Sequence, residues 1–222
     1  SYRPKTFAVR LKKGNVKAAP IKNIPLQLPF NSKAFTPENF GYTVSFDKKG
    51  NSFAAELIGD KVTCDNITFS IADHENKNVI KCKGDTIQLP KEAAGKKLYI
   101  LAASTDKDRK STFLVNGKSH EFEIPYYSGF YGQWGHKGVS DGYIRNASLA
   151  YIGSHRHTEK GNDTYIYTYM YKLGIELPQE AHTLVLPKDE NIAVFAITLS
   201  DNYIDDISTA NEMRTLPLEV SK

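Results

Sequence analysis

Short runs rich in Val, Ile, Tyr, Phe and Thr alternate with polar residues along nearly the whole chain, and they stop at Gly, Pro, Asn or Asp. A two-residue period of this kind marks half-buried β-strands. The clearest runs are "TFAVRL", "SFAAELI", "NITFSI", "NVIKCK", "DTIQLP", "KLYILAAS", "STFLV" and "HEFEI", followed by "ASLAYIGSHRHT", "DTYIYTYMYKLGIEL", "HTLVLP" and "IAVFAITLS". "DKKGN", "VNGK" and "EKGND" carry the residues that tight reversals need. Helix candidates are short and confined to "KEAAG" and "STANEM". Many strands without an intervening helical period predict an all-β fold: an antiparallel β-sandwich, jelly-roll-like, with little helix.

The 222 residues are enough for a real hydrophobic core. A Gly-rich, polar stretch over 135–146, "GHKGVSDGYIRN", interrupts the alternation. The part beyond it offers too few strands to close a core alone, so one sandwich over 20–200 is expected, with 135–146 as the candidate subdivision. Residues 1–19 read as a closing strand or linker from a preceding domain, and 201–222 as a C-terminal tail.

The formal net charge of +4 is mild for this length. "RLKKG" and "DKDRK" are short clusters rather than a basic stripe, so no nucleic-acid partner is expected. No apolar run approaches membrane-spanning length, and no membrane partner is expected. Cys64 and Cys82 do not make a disulfide framework; they read as two independent buried thiols, with a single bridge in an oxidising compartment as the alternative.

The most suggestive chemistry lies in "SHRHTEKGNDTYIYTYMYKLGIELP", Ser154 to Pro178. Strand alternation puts Tyr165, Tyr167, Tyr169 and Tyr171 on one face, continuing into Leu173, Ile175 and Leu177. That face is expected to be core. A three-residue loop "EKG", with Gly161 at positive φ, would pair Thr158 with Asn162, His157 with Asp163 and His155 with Tyr165. His155 and His157 point the same way and could chelate zinc, but a third protein ligand is needed. His136 and Asp141 are the candidates, and only tertiary proximity could recruit them. With no third ligand fixed by the sequence, no metal site is assigned, and the pair is read as histidines held by Asp163 and a tyrosine hydroxyl. Arg156, on the opposite face, reads as a packing or ion-pairing residue.

"YYSGFYGQWGHKG" concentrates aromatics, glycines and the only tryptophan. Trp134 beside Gln133 offers a stacking ring and a planar polar group, the combination a sugar site uses. Trp134 reads more readily, however, as a plug for the open end of the sandwich. Candidate carbohydrate-binding residues are therefore Trp134, Gln133, His155 and His157. No nucleophile elbow, phosphate loop or H-E-x-x-H helix occurs. Glu56, Glu121 and Glu123 fall on predicted strands at unknown separations, so no carboxylate pair can be assigned as catalytic. "DNYIDDIS" lacks the spacing of a calcium loop.

Several segments together resemble glycoside hydrolase family 38 α-mannosidases. "YRPKTFAVRL" resembles the strand closing the β-sandwich after the catalytic barrel. "SFAAELI", "NVIKCKGDTIQLP", "KLYILAAS" and "GQWG" resemble the β region near the carboxyl end of large bacterial members, and the segment from "YIGSHRHT" to "VFAITLSD" does so most closely, in the same order. In that family a catalytic aspartate and a zinc ion sit in an amino-terminal α/β barrel. The resemblance therefore implies no catalytic residue, no zinc ligand and no cofactor in this chain. It implies a noncatalytic accessory β-sandwich, structural or contacting a mannose-containing glycan, with the preceding catalytic domain as partner, in a periplasmic or secreted setting. The alternatives are a free-standing lectin-like carbohydrate-binding protein and, below it, a small hydrolase using His155 and His157.

Overall fold

The computed structural model describes residues 21–38, 44–129, 132–133, 143–144 and 147–201. The strands in chain order are β1 (Asn23–Pro25), β2 (Phe35–Thr36), β3 (Ser52–Ala54), β4 (Lys61–Cys64), β5 (Ile67–Ser70), β6 (Ile80–Lys81), β7 (Thr86–Gln88) and β8 (Lys97–Ser104). They continue as β9 (Arg109–Val115), β10 (Lys118–Ile124), β11 (Gly132–Gln133), β12 (Tyr143–Ile144), β13 (Ser148–Thr158), β14 (Gly161–Glu176), β15 (Thr183–Val185) and β16 (Ile192–Ser200). Among the described residues, two 3₁₀ turns, Ala55–Leu57 and Lys91–Ala93, are the only helical turns between them. The predicted all-β class holds, and no helix among the described residues is long and apolar enough to cross a membrane.

The main sheet runs β1-β16-β8-β14-β13-β3-β2, with β6 also on β16; a second sheet runs β10-β9-β15-β7. Both are antiparallel except for β2 on β3, which is parallel. Parallel neighbours need a connection of about a dozen residues or more, and residues 37–51 separate β2 from β3 in the sequence.

β8 and β16 are buried at every position, because both faces of the main sheet are covered. Leu98, Ile100 and Ala102 of β8 pack with Val194 and Leu199 against Phe113, Val115 and Leu184 of the second sheet. Tyr99, Leu101 and Ala103 face the other way, into a cluster with Phe35, Phe46, Phe53, Tyr127 and Phe195, closed by Ile67 and Phe69 of the β4–β5 hairpin. Phe53 sits at its centre, with Phe46, Tyr127 and Phe195 at 5.2–5.3 Å between ring centroids. The unbroken apolar run "ILAA" follows from this two-sided burial.

The expected core row of tyrosines holds in part. Tyr169 and Tyr171 are buried, and their hydroxyls donate to the carbonyls of Gly129 (2.6 Å) and Tyr126 (3.2 Å). Tyr167 is 37% exposed, a correction to the single core face. Met170 and Thr168, expected on the opposite face, are fully buried as well. Cys64 and Cys82 are separate free thiols, the first half-buried and the second buried. Residues 1–20 and 202–222, and most of 135–146, lie outside the described residues.

Candidate functional site

β13 and β14 form the predicted hairpin, but its turn is one residue tighter than expected. Thr158 pairs with Gly161 across Glu159–Lys160. The Thr158 hydroxyl donates to the Gly161 carbonyl (3.0 Å) and accepts from the Lys160 amide (3.1 Å), which satisfies the turn without an extra residue. Gly161 takes φ +108°, which a side chain would resist. The register therefore moves by one: His157 faces Asn162, Arg156 faces Asp163 and His155 faces Thr164. Asp163 is the partner of Arg156, not of His157, with Nε and Nη2 donating to Oδ2 at 2.8 and 2.7 Å.

Two irregularities shape the strands beyond the turn. Ala150 is an extra residue in β13, between the Leu149–Tyr171 and Tyr151–Met170 pairs. Further along, Ser154 alone opposes residues 165–167 of β14, between the Gly153–Thr168 and His155–Thr164 pairs. The tyrosine row breaks there, which is why Tyr167 escapes the core.

On the outer side of β13, Ser52 pairs with His157 and Phe53 with Arg156. β3 then stops. Residues Ala55–Leu57 coil into a 3₁₀ turn, with the Ile58 amide donating back to Ala55. This turn carries Glu56 beside the histidines. Its Oε1 lies 3.0 Å from Nε2 of His155 and 3.0 Å from Nε2 of His157. The two rings stack at 5.4 Å between centroids. The far nitrogens are also engaged: Nδ1 of His157 lies 3.1 Å from Thr36 Oγ1, which in turn bonds Ser52 Oγ, and Nδ1 of His155 lies 3.3 Å from Ser154 Oγ. His157 is buried, His155 half-buried and Glu56 exposed, so the cluster opens outward on the carboxylate side. Burial first, and then the Glu56 charge, push the Tyr151 phenol above its usual range.

Among the described residues, Glu56, His155 and His157 form the one group of three potential metal ligands. The third donor that the His-x-His motif lacked is thus Glu56. His136 and Asp141 lie outside the described residues. Thr36 was also missed. A signal for Glu56 existed in "AAEL": Ala, Glu and Leu favour helical backbone over strand, which marks the end of β3. Glu121 and Glu123 lie exposed on β10 in the other sheet. Trp134 lies outside the described residues, and Gln133 is placed by its backbone, paired with Tyr143.

A second polar feature is a cleft of about 260 Å³ lined by Ser45, Asp47, Lys81, Thr105 and Glu190. Lys81 Nζ donates to the Phe46 carbonyl and lies 4.0 Å from the Phe46 ring centroid. Burial lowers its amine to about 8. Asp47 accepts from the Lys49 and Asn51 amides, the Asn51 side chain and Tyr127 Oη, all within 2.9 Å, so it organises the turn before β3.

A family model for the AziU2-like beta-sandwich domain matches residues 22–203. The chain belongs to this family. The match covers both sheets and the whole Glu56–His155–His157 cluster, and it shows a β-sandwich domain without extending to the α-mannosidases. No curated protein matches the chain.

Proposed function

We propose that this AziU2-like sandwich is a noncatalytic accessory domain of an α-mannosidase-like glycoside hydrolase and contacts mannose-containing glycan beside Tyr167. The observation that carries the reading is the exposure of Tyr167. An aromatic ring is useful to a sugar only where it is open to solvent, and this one leaves the buried row of its neighbours. Its carbonyl accepts from the Gly129 amide (3.0 Å), and Gly129 leads within four residues to Gln133 and then Trp134. Ile152, opposite Tyr169, is a second exposed apolar side chain of the hairpin, at 56% exposure. His155 is open enough to add a polar contact, whereas His157 lies behind it.

The noncatalytic part is supported by the carboxylates around the histidines. Glu56 shares one oxygen between two imidazoles, and Asp163 is held by Arg156. Glycoside hydrolysis needs two carboxyl groups free to act at about 5–9.5 Å from each other. The parentage rests on the ordered resemblance of the β motifs, with the preceding catalytic domain as partner.

Calorimetric titration with mannose oligosaccharides tests the reading. Binding should be lost in Tyr167→Ala and in Trp134→Ala, with the fold intact by circular dichroism. Binding unchanged in both variants removes this surface, and turnover of aryl α-mannosides by the chain alone overturns the noncatalytic assignment.

A further inference from the structure

We propose that His155, His157 and Glu56 bind a divalent first-row transition-metal ion, zinc foremost, with one coordination position left open. This goes beyond the glycan reading and does not depend on it. The inference starts from convergence. One potential ligand atom from each of the three residues lies within 4.8 Å of the other two, and both imidazole Nε2 atoms sit 3.0 Å from Glu56 Oε1. Tetrahedral zinc with bonds of about 2.0–2.1 Å wants its ligand atoms roughly 3.3 Å apart, so the two nitrogen–oxygen separations open by a few tenths of an ångström, while the ring nitrogens, up to 4.8 Å apart, draw together by rotation of the two imidazoles.

The surroundings of the far nitrogens make the same point. A metal-ligating histidine has its other N–H held by an outer acceptor, which fixes the tautomer and the ring. Nδ1 of His157 has Thr36 Oγ1 in that place, and Thr36 can pass its own hydroxyl proton to Ser52. Nδ1 of His155 has Ser154 Oγ. With Nδ1 protonated on both rings, both Nε2 lone pairs point at the shared centre. The ligands also come from backbone that needs little rearrangement. Positions 155 and 157 are two apart on a strand, and Glu56 sits on a turn pinned to that strand through the Ser52–His157 pairing.

The chemistry follows from the donor set. Two imidazoles and a carboxylate suit zinc and its neighbours better than magnesium or calcium, which favour all-oxygen shells. Three protein ligands leave the fourth position to water or to an oxygen of a bound molecule. That position lies on the Glu56 side, where the cluster is open. The ion would tie the β3 turn to β13 and offer a Lewis-acidic point at the surface.

The test uses tag-free full chain stripped with chelator and titrated with cobalt(II), followed by visible absorption and zinc competition. One equivalent should bind, with the intense bands of four- or five-coordinate cobalt, and zinc should displace it. His155→Ala and Glu56→Gln, at the more open positions, should each weaken binding at least tenfold. Thr36→Val should weaken it by about 10–100-fold through the outer shell alone. Each variant is checked for an unchanged circular dichroism spectrum, and His155→Ala and Glu56→Gln decide the matter if His157→Ala fails to fold. Absence of binding at micromolar cobalt, a weak six-coordinate spectrum, or equal affinity in wild type and His155→Ala would overturn the site.

Discussion

Gly153→Ala is the sharpest probe of how the hairpin reaches its shape. Gly153 pairs with Thr168 immediately before the irregularity that precedes His155. A methyl group added there would press on Thr168 Oγ1 and lie 2.8 Å from the Tyr151 hydroxyl. Carbon in comfortable contact sits at about 3.5 Å or more. Thr168 is fully buried, so its side chain cannot turn aside without displacing its neighbours. The expected cost is about 1–3 kcal/mol, the range for overpacking a filled interior. For a chain of this size that lowers the melting temperature by roughly 2–12 °C, at about 2–4 °C per kcal/mol. Urea unfolding of both single variants and of Gly153→Ala/Thr168→Ala completes a double-mutant cycle. Thr168 Oγ1 is buried with no hydrogen-bond partner, so removing it relieves the clash and sacrifices no bond. The double variant should therefore be more stable than the sum of the singles implies, with Tyr151→Phe relieving what remains. A neutral Gly153→Ala, or strict additivity in the cycle, would refute the packing argument.

Tyr169→Ala should destabilise by about 3–5 kcal/mol, as deletion of a buried large aromatic does, whereas Tyr167→Ala, at 37% exposure, should cost only about 1–2 kcal/mol; equal costs in urea titrations would contradict the broken row. Lys81 has its amine lowered by burial from 10.5 to about 8, so between those values the unfolded chain holds a proton that the folded chain has released. Stability relative to Lys81→Met should therefore rise from about pH 8 to about pH 10.5, by roughly 3 kcal/mol at most, and be lost as pH falls back through 8; a flat or falling difference would count against the buried amine.

The strands were legible where burial follows a simple rule. "KLYILAAS" is β8 residue for residue, since a strand covered on both faces is apolar throughout and ends where the turn residues begin. "IAVFAITLS" is β16 for the same reason. β1, β2 and β4 were not legible. They are two to four residues long and mixed in character; β1 and β2 are strands only because a longer neighbour offers its edge, as β16 does to β1 and β3 to β2, and β4 because it folds back on the equally short β5. "SFAAELI" reads as one alternating strand, yet pairing stops at Ala54 and a 3₁₀ turn follows. Propensity favoured that break, and the hydrophobic pattern hid it.

The site was half legible, and the missing half has a physical cause. His155 and His157 share a side of one strand, a relation the sequence states directly. Their partners depend on quantities that composition does not carry. One is the size of the turn: a two-residue reversal, stabilised by the Thr158 hydroxyl, exchanges the expected His157–Asp163 pair for Arg156–Asp163. Another is the break at residues 165–167, where three residues of β14 pass one of β13 and an exposed tyrosine leaves a buried series. The third is long-range. Glu56 is about a hundred residues from the histidines, and it meets them because β3 docks on β13 and then turns at Ala55. A one-residue change in that stopping point would rotate Glu56 away from both imidazoles, since side chains on a continuing strand alternate faces. The convergence of three donor atoms thus rests on where β3 ends and on how tightly the hairpin turns.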